Sequence, residues 1–68
     1  METATLKVIG MTCQGCVRSV TRVLQGVPGV GNVAVSLELG EAKLDYDPDK
    51  SAPADLRKAI QTAGFDVG

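Results

Sequence analysis

The apolar residues of this chain change period repeatedly within 68 residues, and that succession limits the fold more than any single motif does. From Thr3 to Ile9 they alternate in the two-residue period of a strand, with Ala4, Leu6 and Val8 on one face and Thr5, Lys7 and Ile9 on the other. After Gly10 and the segment from Met11 to Cys16 they recur as Val17, Val20, Leu24 and Val27, which is one face of a helix over about Gln14 to Gln25. Arg18, Arg22 and Gln25 hold the opposite face, and Gly26, Pro28 and Gly29 end the helix. Val33, Val35, Leu37 and Leu39 then alternate with polar or small neighbours; Gly40-Glu41 interrupts, and Ala42, Leu44 and Tyr46 alternate again, the pattern of a hairpin. Ser51 and Pro53 signal a second helix with a buried stripe of Leu56, Ala59, Ile60 and Ala63 and a cap at Gly64. Phe65 to Val67 is a short last strand. The order βαββαβ is the split βαβ arrangement, an α+β fold in which two helices cover one face of a four-stranded antiparallel sheet. Residues 1–68 form a single domain, with no linker, repeat or low-complexity stretch.

This length leaves no room for a catalytic cleft walled by several layers, so an enzyme is not expected. With one Phe, one Tyr and no Trp, the core is built from Val, Leu, Ile and Ala. Domains this small often add disulfides or a metal to a thin core, and the two cysteines are the only candidates here. Seven basic residues against eight acidic ones give a net charge of −1, which provides no field for phosphates or anionic lipid, so nucleic acid is not an expected partner. The segment Met1 to Lys7 lacks the basic and apolar regions of a secretory signal, and no stretch is long enough to span a bilayer, so membrane insertion is not expected. A cytoplasmic location follows as an expectation, and there a Cys13–Cys16 disulfide would be transient.

Gly10-Met11-Thr12-Cys13-Gln14-Gly15-Cys16 lies between the first strand and the first helix, which puts both sulfurs at or near a helix N-terminus. Unpaired N–H groups and the helix dipole favour anions there, so the thiols should ionise readily. Soft thiolates select soft ions, and Cu(I) accepts two near-collinear sulfurs. A closed zinc site needs four ligands, which two cysteines and no histidine cannot supply from one molecule. The alternatives are a thioredoxin-like dithiol and a pair of structural cysteines. Gln14-Gly15 lacks the proline common in the redox motif and no Trp precedes Cys13, while the small and polar residues around the sulfurs weaken the structural reading. A redox enzyme would turn over disulfide substrates, whereas a carrier would oxidise only slowly and stoichiometrically.

Gly-Met-Thr-Cys-x-x-Cys at the end of a first strand, in a chain ending Ala-Gly-Phe-Asp-Val, resembles the heavy-metal-associated domain of copper chaperones and of the N-terminal extensions of copper-transporting P-type ATPases. The resemblance covers essentially the whole chain and implies a ferredoxin-like sandwich. It implies Cys13 and Cys16 as Cu(I) ligands, Met11 as a buried prop and Phe65 as a ring near the metal loop, with Gly10, Thr12, Gln14 and Gly15 completing the loop. Related zinc, cadmium and lead pumps often carry Asp where this chain has Thr12, so copper is favoured over zinc; Hg(II) also suits a linear dithiolate and stays open. Free bacterial chaperones often have Tyr where this chain has Phe65, whereas ATPase-attached domains often have Phe there, which counts against a free chaperone; Met1, the immediate first strand and the stop at Gly68 favour a complete small protein.

Arg18 and Arg22 lie one helical turn apart beside the loop. They are either a solvated surface or a docking face for an acidic patch on a partner. The expected function is that of a Cu(I) metallochaperone passing its ion to the metal-binding domain of a copper-transporting P-type ATPase. The alternatives are an excised regulatory domain of such an ATPase and a mercuric-ion carrier. The expected apo state is a monomer, with exposed dithiolates that permit a copper-bridged dimer. Cys13, nearer the loop, is the expected first sulfur to exchange.

Overall fold

The structure is a computed structural model and describes residues 1–68. Its elements are β1 (Glu2–Ile9), α1 (Gln14–Gln25), β2 (Val30–Ser36), β3 (Glu41–Tyr46), α2 (Pro53–Thr62) and β4 (Asp66–Val67). The sheet order is β2-β3-β1-β4, with every neighbouring pair antiparallel. This is the expected βαββαβ sandwich.

The two-residue period decides what each strand buries. Leu6 and Val8 of β1 and Ala42, Leu44 and Tyr46 of β3 point inward, and the register sets Leu6 opposite Ala42 and Ala4 opposite Leu44. Val20 and Leu24 of α1 and Leu56 and Ile60 of α2 close the core from the helical side. Leu24, Leu44, Leu56 and Ile60 are fully buried, each contributing about 1.5–3 kcal/mol by leaving water. The expected stripes are therefore correct in their central residues, whereas Val17, Val27, Ala59 and Ala63 at the margins are only half-buried.

Three elements differ at their boundaries from the sequence pattern: β4 begins at Asp66, so Phe65 lies outside the last strand, and β2 and α2 differ as follows. β2 runs from Val30 to Ser36, so Leu37 and Leu39 belong to a turn and not to the strand, and Leu39 is 63% exposed. Ser36 Oγ accepts the Leu39 N–H at 3.2 Å, which turns the chain, and the Gly40 carbonyl then accepts the Val8 N–H at 2.8 Å. At its start β2 gains Val30, which pairs with Tyr46 across a bulge that leaves Gly31 and Asn32 exposed. Gly29, just before it, takes φ +83 with an ideal Cβ only 2.8 Å from Lys50 Cβ, so no side chain fits at this turn.

The remaining difference lies at the start of α2. The N-cap is Ala52 and not Ser51; its side chain caps nothing, although Asp55 Oδ2 accepts the Ala52 N–H at 2.9 Å and Pro53 fills the first helical position. Ser51 is instead 6% exposed, with its hydroxyl buried and without a protein partner. A capping hydroxyl is typically worth about 1 kcal/mol, and a buried unpaired one costs a similar amount or more. Exchanging the two residues, Ser51→Ala with Ala52→Ser, is therefore expected to raise the unfolding free energy by about 1–2 kcal/mol. Urea denaturation followed by circular dichroism checks this; an unchanged midpoint would mean that Ser51 is not a liability.

Candidate functional site

The site begins where β1 stops. Gly10 has φ +101, a conformation that side-chain-bearing residues rarely adopt, and a Cβ there would lie 3.7 Å from Phe65 Cδ1. The Phe65 ring, in the link between α2 and β4, thus stands against the start of the loop, where the family resemblance implied it. Met11 is half-buried and packs against the core. Thr12, Cys13, Gln14 and Gly15 are exposed, and Cys16 is half-buried. Cys13 is the N-cap of α1 in an extended conformation, and its carbonyl accepts the N–H groups of Cys16 and Val17 at 3.0 and 3.3 Å.

This geometry brings the two sulfurs together. Cys13 Sγ and Cys16 Sγ are 3.3 Å apart, both thiols are free, and one can donate to the other. The Cys16 thiol is lowered to about 7, first because the Thr12 backbone N–H donates to it and next because the Cys13 thiol does. Cys13 makes no side-chain cap to the helix N–H groups.

A depressed thiol pKa has a definite sign. The Cys16 thiolate should be half-formed near pH 7 and fall to about a tenth one unit lower. Alkylation of Cys16 by iodoacetamide in the Cys13→Ser variant isolates this thiol, but it also removes the Cys13 hydrogen bond. Its rate should still rise with a midpoint below the ordinary thiol value of about 8.5, because the Thr12 N–H remains. A midpoint at the ordinary value would show that the loop donor is ineffective.

No group of three or more His, Cys, Asp or Glu side chains is assembled anywhere in the structure. Two sulfurs without a third protein ligand suit a soft ion of low coordination number and do not suit closed tetrahedral zinc. Arg18 and Arg22 are both exposed on α1, and they line an open groove of about 440 Å³ with Gly15, Ser19, Val23 and Ala63. The acidic residues of the hairpin are partly occupied within the fold: Asp45 Oδ1 accepts the Thr3 hydroxyl at 2.8 Å and Asp47 Oδ1 accepts the Asp49 N–H at 3.0 Å. No helix is long and apolar enough to cross a membrane.

Residues 5–66 match the heavy-metal-associated domain. The chain is 42% identical over 67 residues to the copper chaperone CopZ of Bacillus subtilis, an alignment covering 98% of this chain and 97% of that one. It is 38% identical over 66 residues to copper-transporting ATPase 1 of Mus musculus, covering 97% of this chain but only 4% of the ATPase. Among solved structures, a copper-binding domain from HMA7, a P-type ATPase, superposes with a TM-score of 0.97 at 34% identity, covering 100% of this chain and 92% of that one. The Bacillus subtilis protein, matched nearly end to end, is a copper chaperone, and the superposed ATPase piece is a copper-binding domain. By sequence and by fold, the chain belongs to the heavy-metal-associated domain family.

Proposed function

We propose that this chain is a Cu(I) chaperone that holds one ion between Cys13 and Cys16 and passes it to the metal-binding domain of a copper-transporting P-type ATPase. The observation that carries the reading is the pair of free sulfurs 3.3 Å apart at an exposed helix start. The similarity to the Bacillus subtilis copper chaperone supports copper as the ion, and soft two-sulfur ligation supports its monovalent state. A zinc–sulfur bond is about 2.3 Å, and at a comparable length two sulfurs on opposite sides of an ion stand about 4.6 Å apart. Loading therefore opens the pair, which the exposed Cys13 at the N-cap permits. Gly10, Met11, Thr12, Gln14 and Phe65 hold the loop in register.

Transfer is ligand exchange without redox change. An incoming thiolate bonds to Cu(I), a three-coordinate species forms, and one donor sulfur leaves as a thiolate that takes a proton from solvent. Cys13 leaves first because it is exposed, while Cys16 is half-buried in the first turn of α1. Arg18 and Arg22 meet an acidic patch on the acceptor, aligning the two loops. The reading places the protein in the reducing cytoplasm, where thiols stay free, as an apo monomer able to share copper between two copies. The same site would serve in an ATPase-attached domain, a second reading favoured by the superposition on the HMA7 domain.

To test transfer, copper-loaded chain is mixed anaerobically with the reduced metal-binding domain of a copper-transporting ATPase and the two are separated for metal analysis. Copper should partition between them within the mixing time, and Arg18→Glu/Arg22→Glu should slow that partition about tenfold or more by setting like charges against the acceptor. Copper that stays with the donor would overturn the chaperone reading. Parallel titrations with Hg(II) and Zn(II) decide the ion.

A further inference from the structure

Gly15 is the only glycine within either helix, in the first turn of α1. Neither usual reason for a glycine applies. Its φ is not positive. An ideal Cβ at this position meets one atom within 4 Å, Cys13 Sγ at 3.6 Å, which is ordinary contact, so an alanine fits. Alanine is also the better helix former, so stability alone favours a side chain. What the glycine supplies is free volume on one side of the exposed Cys13 sulfur. Gly15 also lines the open groove that runs past Arg18, Ser19 and Arg22 to Ala63.

We infer that Gly15 is a positioning residue for exchange: by leaving the flank of Cys13 Sγ bare it keeps open the approach through which an incoming thiolate reaches an ion held there. The inference rests on the Cu(I) carrier reading above and assigns to one residue the rate of its exchange step. In that step a new sulfur–copper bond forms from the entering thiolate and the copper–Cys13 bond breaks, with the charge of one thiolate replaced by that of another and no electron transferred. A Cβ in contact with the leaving sulfur narrows the approach, and a longer side chain covers it. The ion in its bound state needs no such space, so the rate is affected more than the affinity.

The test compares Gly15→Ala and Gly15→Leu, both compatible with helix, with the parent chain. Cu(I) affinity is measured by competition with bicinchoninate, and folding by circular dichroism. Rates are measured to two acceptors: an isotope-labelled second copy, followed by exchange NMR, and dithiothreitol, a small dithiol that needs no docking face. Exchange should slow in order of side-chain size with both acceptors, about twofold to threefold for alanine and about tenfold or more for leucine, while affinity changes less than about threefold. Unchanged rates, or rates that merely follow affinity, would overturn the inference. Slowing toward the second copy but not toward dithiothreitol would also overturn it, since it would place the effect in docking. If the parent chain takes up no Cu(I), both the carrier reading and this inference fall, and the affinity measurement alone shows it.

Discussion

Replacing Cys13 and Cys16 together by serine is expected to abolish competitive Cu(I) uptake, while the parent chain takes up one ion per molecule against a chromophoric chelator. The physical basis is that no other thiolate or imidazole exists in the fold: the two thiols are the only cysteines, there is no histidine, and no group of three His, Cys, Asp or Glu side chains is assembled elsewhere. A serine hydroxyl is a hard, neutral donor at pH 7, so the variant loses both the charge and the softness that select Cu(I). Either single variant should bind at least about a thousandfold more weakly, equivalent to about 4 kcal/mol. Because Cys16 must lose its proton to ligate, uptake by the parent chain should weaken as pH falls through about 7 and change little with that proton above it. Full uptake by the double variant would place the copper elsewhere and refute the two-sulfur site.

Leu24→Ala is expected to have the largest effect on the fold. Leu24 is 0% exposed and joins α1 to the nine-residue core, so the substitution deletes buried methyl groups and leaves a cavity that the helix cannot fill. Such changes cost about 2–5 kcal/mol. At roughly 0.05–0.15 kcal/mol per residue, a domain of 68 residues has only about 3–10 kcal/mol to lose. The midpoint of thermal unfolding should fall by roughly 10–25 °C, and in the weakest case an appreciable fraction of the apo protein is already unfolded at 37 °C. Copper should recover part of this, since ligation to the folded loop favours the native state by mass action. Thermal melts with and without Cu(I) check both effects; a loss under 1 kcal/mol would show that the helix repacks around the gap.

The two predictions concern different parts of one helix. Its first turn carries Cys16 while Val20 and Leu24 lie buried further along, so the residues that set sulfur placement are covalently continuous with those that anchor the helix. A helix held at Val20 and Leu24 keeps Cys16 half-buried, whereas Cys13, outside the helical turns, stays exposed. This difference in anchoring is the physical reason to expect unequal exchange of the two sulfurs.

Much of this was legible from residue order. The three-and-four spacing of Val17, Val20 and Leu24, stopped by Gly26, marks α1 at its observed bounds because a helix face needs only local periodicity. The Cys-x-x-Cys spacing likewise places both sulfurs on one loop and first turn, since three residues of separation leave them little freedom to part. Other features were hidden. The alternation through Leu37 and Leu39 looks like continuing strand, yet the chain turns there because Ser36 binds the Leu39 N–H and Gly40 is engaged by Val8 of a distant strand. Ser51 reads as a helix cap but is buried, and Ala52 occupies the cap position.

The residues by themselves thus determined the order of elements, the buried stripes and the pair of soft ligands, because periodicity and side-chain chemistry are properties of short segments. Only the tertiary structure decided where β2 ends, that Phe65 stands against Gly10, and that Gly15 leaves the flank of Cys13 bare. Each of these depends on distances and directions between groups whose placement is set by the whole packed fold.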